Sequence, residues 1–244
     1  MKKALIFACA IAISTSSFSS EEETHWGYSG KTGPENWALL SKDNFACSGK
    51  NQSPINLSGF IEAELSPISF NYQQGGYEII NNGHTVVLKF KPGSTIKNKG
   101  NTYNLLQLHF HAPSENHING KSYPLEAHLV HSDSNGNLSV ISVMFEQGKE
   151  NAGLASAWES MPKNTGDKYT LDHTVSALDI LPVNRDYYRF NGSLTTPPCS
   201  EGVRWFVMKH SVTASKAQIA EFKKALKETN NRPLQALNSR LILQ

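Results

Sequence analysis

The sequence is poor in cysteine, in net charge and in long apolar runs. Among 244 residues there are three cysteines, and 23 Lys and Arg face 21 Asp and Glu. So even a balance gives no electrostatic reason to expect a nucleic-acid partner or an anionic membrane. The longest apolar stretch, Ala4 to Ile13, is about half of what a bilayer-spanning helix requires, so no membrane anchor is expected. Its setting, "MKKALIFACAIAISTSSFSS" over 1–20, is two lysines, an apolar segment and then small residues. That is the pattern of a secretory signal peptide cleaved near Ser19, which leaves 21–244 as a single soluble domain. Without Cys9 the cysteines are Cys47 and Cys199, and an even pair in an exported chain favours a disulfide over two free thiols. Closing so long a loop would contribute roughly 4–5 kcal/mol in the chain-entropy model. The absence of a C-x-x-C pair argues against a cysteine-held zinc or a dithiol redox centre.

What is present is mainly strand pattern. "ISFNY" (68–72), "HTVVLKF" (84–90), "YNLLQLHFH" (103–111), "LEAHLVH" (125–131), "LSVISVMF" (138–145) and "VRWFVMKH" (203–210) alternate or are continuously apolar. Turn-forming Gly, Asn and Pro separate them. Only two segments carry a helical period. One places Leu154, Trp158 and Met161 on a face and is stopped by Pro162; the other places Ile219, Phe222 and Leu226 on a face behind a Ser215/Gln218 capping box. The predicted fold class is mainly β: a large, twisted, mostly antiparallel central sheet with a few peripheral helices.

Histidines concentrate in two of these strands. In "QLHFHAPSE" (107–115), His109 and His111 fall on one face of the strand while Leu108 and Phe110 fall on the other. The next strand carries Glu126 and His128 on one face. A turn through Asn119 and Gly120 allows antiparallel pairing that sets His128 opposite the first two. Three neutral imidazoles with an open fourth position form a catalytic type of zinc site. Glu126 and Gln107 are spaced to accept the other ring N–H of His128 and His109. The spacing His109, His111, Glu115 also fits the metal motif of a cupin barrel. Pro113 and Ser114 interrupt the strand before that carboxylate, however, and Tyr103 stands where a cupin has glycine.

Beyond these residues the sequence resembles the α-class carbonic anhydrases, in particular exported bacterial members. The matching blocks occur in family order along nearly the whole mature chain: "HWGYSGKTGPENW" (25–37), "NQSPINL" (51–57), "NNGH" (81–84), "QLHFH", "SEN", "EAHLVH" (126–131), "FNGSLTTPPCSEGVRW" (190–205) and "NNRP" (230–233). The resemblance implies the α-carbonic anhydrase fold over 21–244, a periplasmic location, Zn2+ as cofactor, and carbon dioxide and bicarbonate as small-molecule partners. It leaves a homodimer open.

Carried over residue by residue, the resemblance makes His109, His111 and His128 the zinc ligands, with Gln107 and Glu126 behind them. Thr195 donates to Glu115 and accepts from the zinc-held hydroxide, which makes Glu115 a gatekeeper and not a ligand. Val130, Val140, Leu194, Val203 and Trp205 form the apolar wall for carbon dioxide, beside Thr195 and Thr196. His84 is the proton shuttle, with Tyr28, Asn82 and Thr196 holding water along its route. Cys47 and Cys199 are the family's cysteine pair. The implied reaction is reversible hydration of carbon dioxide, with ester hydrolysis as a plausible side activity. A proton held at pKa ~7 escapes to bulk water at roughly 10³ s⁻¹, so an imidazole relay removes a bottleneck. Three positions depart from the family pattern or extend it: Asn116 where histidine is common, Val87 where a polar residue is common, and His25 as a second imidazole near the cleft mouth. A catalytically silent relative would be expected to lack one of the three ligand histidines, and all three are present.

Overall fold

The structure, a computed structural model, describes residues 25–244; the signal-peptide expectation for 1–20 lies outside the described residues. Among the described residues thirteen strands occur in chain order: β1 (Asn56–Leu57), β2 (Ser69–Asn71), β3 (Gln74–Asn81), β4 (Val86–Phe90), β5 (Thr95–Asn98), β6 (Asn101–His111) and β7 (His117–Ile118), followed by β8 (Leu125–Ser132), β9 (Leu138–Gln147), β10 (Lys168–Ser176), β11 (Tyr187–Ser193), β12 (Glu201–Met208) and β13 (Val212–Ala214). The helices are α1 (Trp37–Leu40), α2 (Ala152–Trp158) and α3 (Lys216–Ala225). No helix among the described residues is long and apolar enough to cross a membrane.

Eleven strands form one sheet, in the order β10-β3-β4-β6-β8-β9-β12-β11, with β13 added beside β9 and the β2–β5 pair beside β6. β12 and β13 run parallel to β9, and the other ladders of this sheet are antiparallel. The mainly antiparallel architecture expected from the strand pattern is therefore present. β6 and β8 lie at its centre, paired antiparallel with His109 directly across from His128.

Alternation sends the two sets of side chains on β6 and β8 to different sides. Leu108, Phe110, Ala127 and Leu129 join the larger apolar cluster, together with Trp158 of α2 and Phe222 of α3. α3 begins at the Ser215/Gln218 capping box read from the sequence. α2 ends at Trp158, short of the Met161 expected on its face. Met161 is still buried in the same cluster, and Pro162 disfavours helical backbone at the residue before it. The strand pattern in the sequence does not mark β1, β3, β5, β7, β10, β11 or β13. β10 is exposed along most of its length, so burial imprints no alternation on it. In β3 an added Cβ at Gly76 would lie 2.5 Å from Val175 Cγ2, so a side chain is excluded where β10 packs closely.

Candidate metal centre

On the other side of β6 and β8, the ring nitrogens of His109, His111 and His128 lie within 4.8 Å of one another. The ring centroids are 5.0 Å apart for His109–His111, 5.2 Å for His109–His128 and 4.6 Å for His111–His128. Each ring has one nitrogen already engaged. His109 Nδ1 meets Gln107 Oε1 at 2.9 Å, His111 Nδ1 meets the Asn230 carbonyl at 2.6 Å, and His128 Nε2 meets Glu126 Oε1 at 2.8 Å. Those acceptors fix the tautomers and leave Nε2, Nε2 and Nδ1 as lone-pair donors. His111 Nε2 is buried and has no hydrogen-bond partner. Three imidazole nitrogens without a thiolate or carboxylate among them, one of them an orphaned buried atom, fit a zinc ion.

Electrostatics divides the three rings. Burial, and then the neighbouring rings, lower the pKa of His109 well below its ordinary value; burial and His128 take His111 to about 3. Burial opposes the charged form of His128 as well, but the Glu126 carboxylate outweighs it and raises that pKa. Burial would raise Glu126 too; the charge of His128 and hydrogen bonds from His128, Ser142 and Asn116 instead hold it at about 2. Glu126 also accepts from the backbone N–H of Glu115 and Asn116, at 2.7 and 2.9 Å. The Asn116 departure thus has a definite consequence: its side-chain amide donates to Glu126 at 2.8 Å.

Glu115 is 1 % exposed, and burial pushes its carboxyl up to about 7 against the lowering effects of His128, Arg232 N–H and the Thr195 hydroxyl. Its Oε1 accepts from Arg232 N at 2.9 Å. Its Oε2 has no completed hydrogen bond and lies 3.4 Å from His111 Nε2 and 3.9 Å from His128 Nδ1. Thr195 belongs to a loop closed by Leu194 N donating to Ser200 O and by Cys199 N donating to Thr196 O. Cys199 is bridged to Cys47. The pairing expected from the cysteine count is present, and the loop-closure argument applies to a separation of 152 residues.

Val130, Val140, Val203 and Trp205 form part of the second apolar cluster, with Leu194 packed against it. Trp205 stands 4.9 Å from the His128 ring. His84 is farther out: its ring stacks on Trp26 at 3.7 Å and 10°, with His25 at 5.5 Å. Burial and His25 lower the His84 pKa, while Glu228 works in the opposite direction. His25, Trp26, Asp43, Asn44, His84 and Pro197 are among the residues lining a cleft of about 510 Å³. The Tyr28 hydroxyl is buried without a partner; burial, then the charges of Glu115 and Glu228, raise its pKa well above the ordinary value. Asn82 is exposed and turns its Oδ1 inward to accept from the N–H of His84 and Thr85.

Sequence reasoning missed four contributors. Asn230 supplies the carbonyl on His111, and its side chain ties Ala112 N, Phe110 O and His84 O together. Arg232 holds Glu115, and Ser142 donates to Glu126 at 2.6 Å. Trp26 carries the His84 ring. "NNRP" was visible as a block, but a role played by a backbone carbonyl leaves no mark on residue type.

A central sheet with three tautomer-fixed imidazoles on one face is the architecture of the α-type carbonic anhydrases. Residues 32–244 match the family model of the eukaryotic-type carbonic anhydrases, and the chain belongs to that family. It is accordingly an enzyme of the lyase class, a carbonate dehydratase. It is 45% identical over 244 residues, spanning all of both chains, to the carbonic anhydrase of Pectobacterium carotovorum. Among solved structures it resembles the α-carbonic anhydrase of Thermovibrio ammonificans bound to the inhibitor sulfanilamide (TM-score 0.89, 47% identity, covering 91% of this chain and 99% of that one). A similar likeness holds for the α-carbonic anhydrase of Photobacterium profundum (TM-score 0.86, 45% identity, covering 90% and 100%).

Proposed function

We propose that the protein is a periplasmic zinc enzyme that reversibly hydrates carbon dioxide, with His109, His111 and His128 holding the metal and His84 relaying the proton. The observation that carries this reading is the set of three free imidazole nitrogens within 4.8 Å of one another, each opposite a nitrogen already anchored. Zinc held there supplies the Lewis acidity that yields a strong nucleophile from water near neutral pH, a property taken from this family itself. Neutral nitrogen ligands leave the metal's charge undiminished, which anionic ligands would not.

The remaining work falls to the chain. Glu115 is anchored by Arg232 N–H and lies close enough to the Thr195 hydroxyl for that group to lower its pKa. A Thr195 that donates to Glu115 has only lone pairs for the reacting oxygen, so it accepts from a species that carries a proton. Val130, Val140, Leu194, Val203 and Trp205 offer an uncharged substrate an apolar wall and give an anionic product little to bind. His84 takes the released proton at the cleft mouth, where it is half-buried and exchanges with buffer. Export to an oxidising compartment fits the Cys47–Cys199 disulfide.

Stopped-flow carbon dioxide hydration tests the reading. Zinc-loaded protein should hydrate far above buffer, lose the activity to a chelator and recover it with zinc. Intact, zinc-loaded protein with no hydration above buffer would overturn it.

A further inference from the structure

The segment carrying His25, Trp26 and Tyr28 has no strand partner. It is held by a few specific bonds, and two of them end on one side chain. Glu228 lies just beyond α3, where its Oε1 accepts from Tyr28 N at 3.1 Å and its Oε2 accepts from the Ser29 hydroxyl at 2.6 Å. Further ties come from Gly27 N, which donates to Thr32 O at 2.9 Å, and from Trp37, whose Nε1 donates to Gly27 O and Thr32 O at 2.9 and 3.0 Å. Trp37 fastens Gly27, next to Trp26, and Glu228 fastens Tyr28 and Ser29 on the far side of Gly27.

What the segment presents to the cleft is the seat of His84. Trp26 stacks on the His84 ring, Trp26 and Trp37 flank the Tyr28 ring edge-on, and the Tyr28 hydroxyl is buried. The backbone under His84 is held separately, because Asn230 donates to His84 O. Releasing the Glu228 bonds would therefore loosen the ring's platform without moving the β3–β4 turn that carries the ring. We propose that Glu228 is a positioning residue for proton transfer: its carboxylate latches the 25–29 segment to the body and thereby fixes the Trp26 seat of His84 and the place of the Tyr28 hydroxyl. The proposal rests on the reading of His84 as proton relay. The charged and titratable groups around that ring are His25 on the same segment, Glu228 beyond α3, and Asp43 across the cleft. Burial and His25 disfavour the protonated ring, and Glu228 is the group that favours it.

Two variants separate latch from charge. Glu228→Ala removes both hydrogen bonds; Glu228→Gln keeps an acceptor for Tyr28 N but lacks the charge. With zinc-loaded protein in dilute buffer, kcat for hydration should fall roughly fivefold in Glu228→Ala, the rate equivalent of one ordinary hydrogen bond. The quantity kcat/KM, which reports the carbon dioxide step, should change less than twofold, and added imidazole should restore kcat. Glu228→Gln should lie between wild type and Glu228→Ala. The second readout is NMR of the zinc-free and zinc-loaded proteins. The His84 ring protons, shifted upfield by the stacked indole, should lose that shift in Glu228→Ala, and the His84 pKa should drop in both variants. A Glu228→Ala protein with wild-type kcat in dilute buffer and an unchanged His84 ring shift would overturn the latch. So would equal losses in kcat and kcat/KM, which point to general disruption. Wild-type protein that fails to hydrate carbon dioxide would sink the functional reading instead, and the ring shift would still decide whether Glu228 holds the seat.

Discussion

His128 and His131 lie three positions apart on β8, and the two side chains leave the strand on opposite faces. His128 faces the metal centre, with Glu126 on one nitrogen and a free Nδ1 on the other. His131 faces the larger apolar core, where it pairs with the Tyr72 hydroxyl at 2.7 Å and its Nδ1 has no partner. Burial holds His131 down at about 3, whereas Glu126 overcomes burial and raises His128. The same residue type in one strand is thus a neutral part of the packing on one face and a charge-supported donor on the other. The difference comes from a carboxylate two positions away. Across β6 the division repeats: Leu108 and Phe110 stabilise, while His109 and His111 are arranged for chemistry.

The division can be tested by damaging each face in turn. The largest effect is expected for His128→Ala, which should lower hydration by at least ~10³-fold and abolish tight zinc binding while the far-UV circular dichroism stays native. A variant that retained activity would show that the third imidazole is not needed. Phe110→Ala attacks the other face and should cost about 3–5 kcal/mol in urea unfolding, with zinc still bound by the folded fraction. Loss of zinc at unchanged stability would reverse the assignment of faces. Glu126→Gln should weaken zinc binding by about 10–100-fold in competition with a chromophoric chelator, because the carboxylate supports His128 without touching the metal.

Smaller effects come from the periphery. His84→Ala should slow turnover about tenfold in dilute buffer and regain it with imidazole, since the gap to unassisted proton release is what the relay covers. Identical rates in the two proteins would remove His84 from the route. A further effect concerns acid. His131 takes up its proton near 6.5 when unfolded but only near 3 when folded, so the unfolded state binds more protons between those values. Its contribution is complete above pH 6.5 and is lost as pH falls toward 3. His131→Gln should therefore show a shallower loss of urea midpoint on acidification than wild type. Glu115, whose raised pKa acts in the opposite sense, is common to both proteins and cancels.

Much of the centre was legible because strand alternation is a two-residue rule. His109, His111, Gln107, Glu126 and His128 could be placed on one face from spacing alone, and the antiparallel register sets His109 across from His128. The edge of the sheet was not legible. β10 is largely exposed and β3 contains glycines, so neither carries the apolar alternation that marks a half-buried strand. Contacts brought together by the chain's far end were equally hidden. Asn230 and Arg232 reach His111 and Glu115 over separations of 119 and 117 residues, through a backbone carbonyl and a backbone N–H. Neither Asn82's inward turn nor the Trp26 seat of His84 has a periodic signature, because loop geometry sets both.

Zinc K-edge X-ray absorption on the zinc-loaded protein tests the central geometry most directly. The expected spectrum has three imidazole nitrogens at ~2.0–2.1 Å and one further light atom that exchanges with added anions. A fourth imidazole, a sulfur, or a carboxylate shell that disappears in Glu115→Gln would mean that the fourth corner is closed by the protein, and would contradict it.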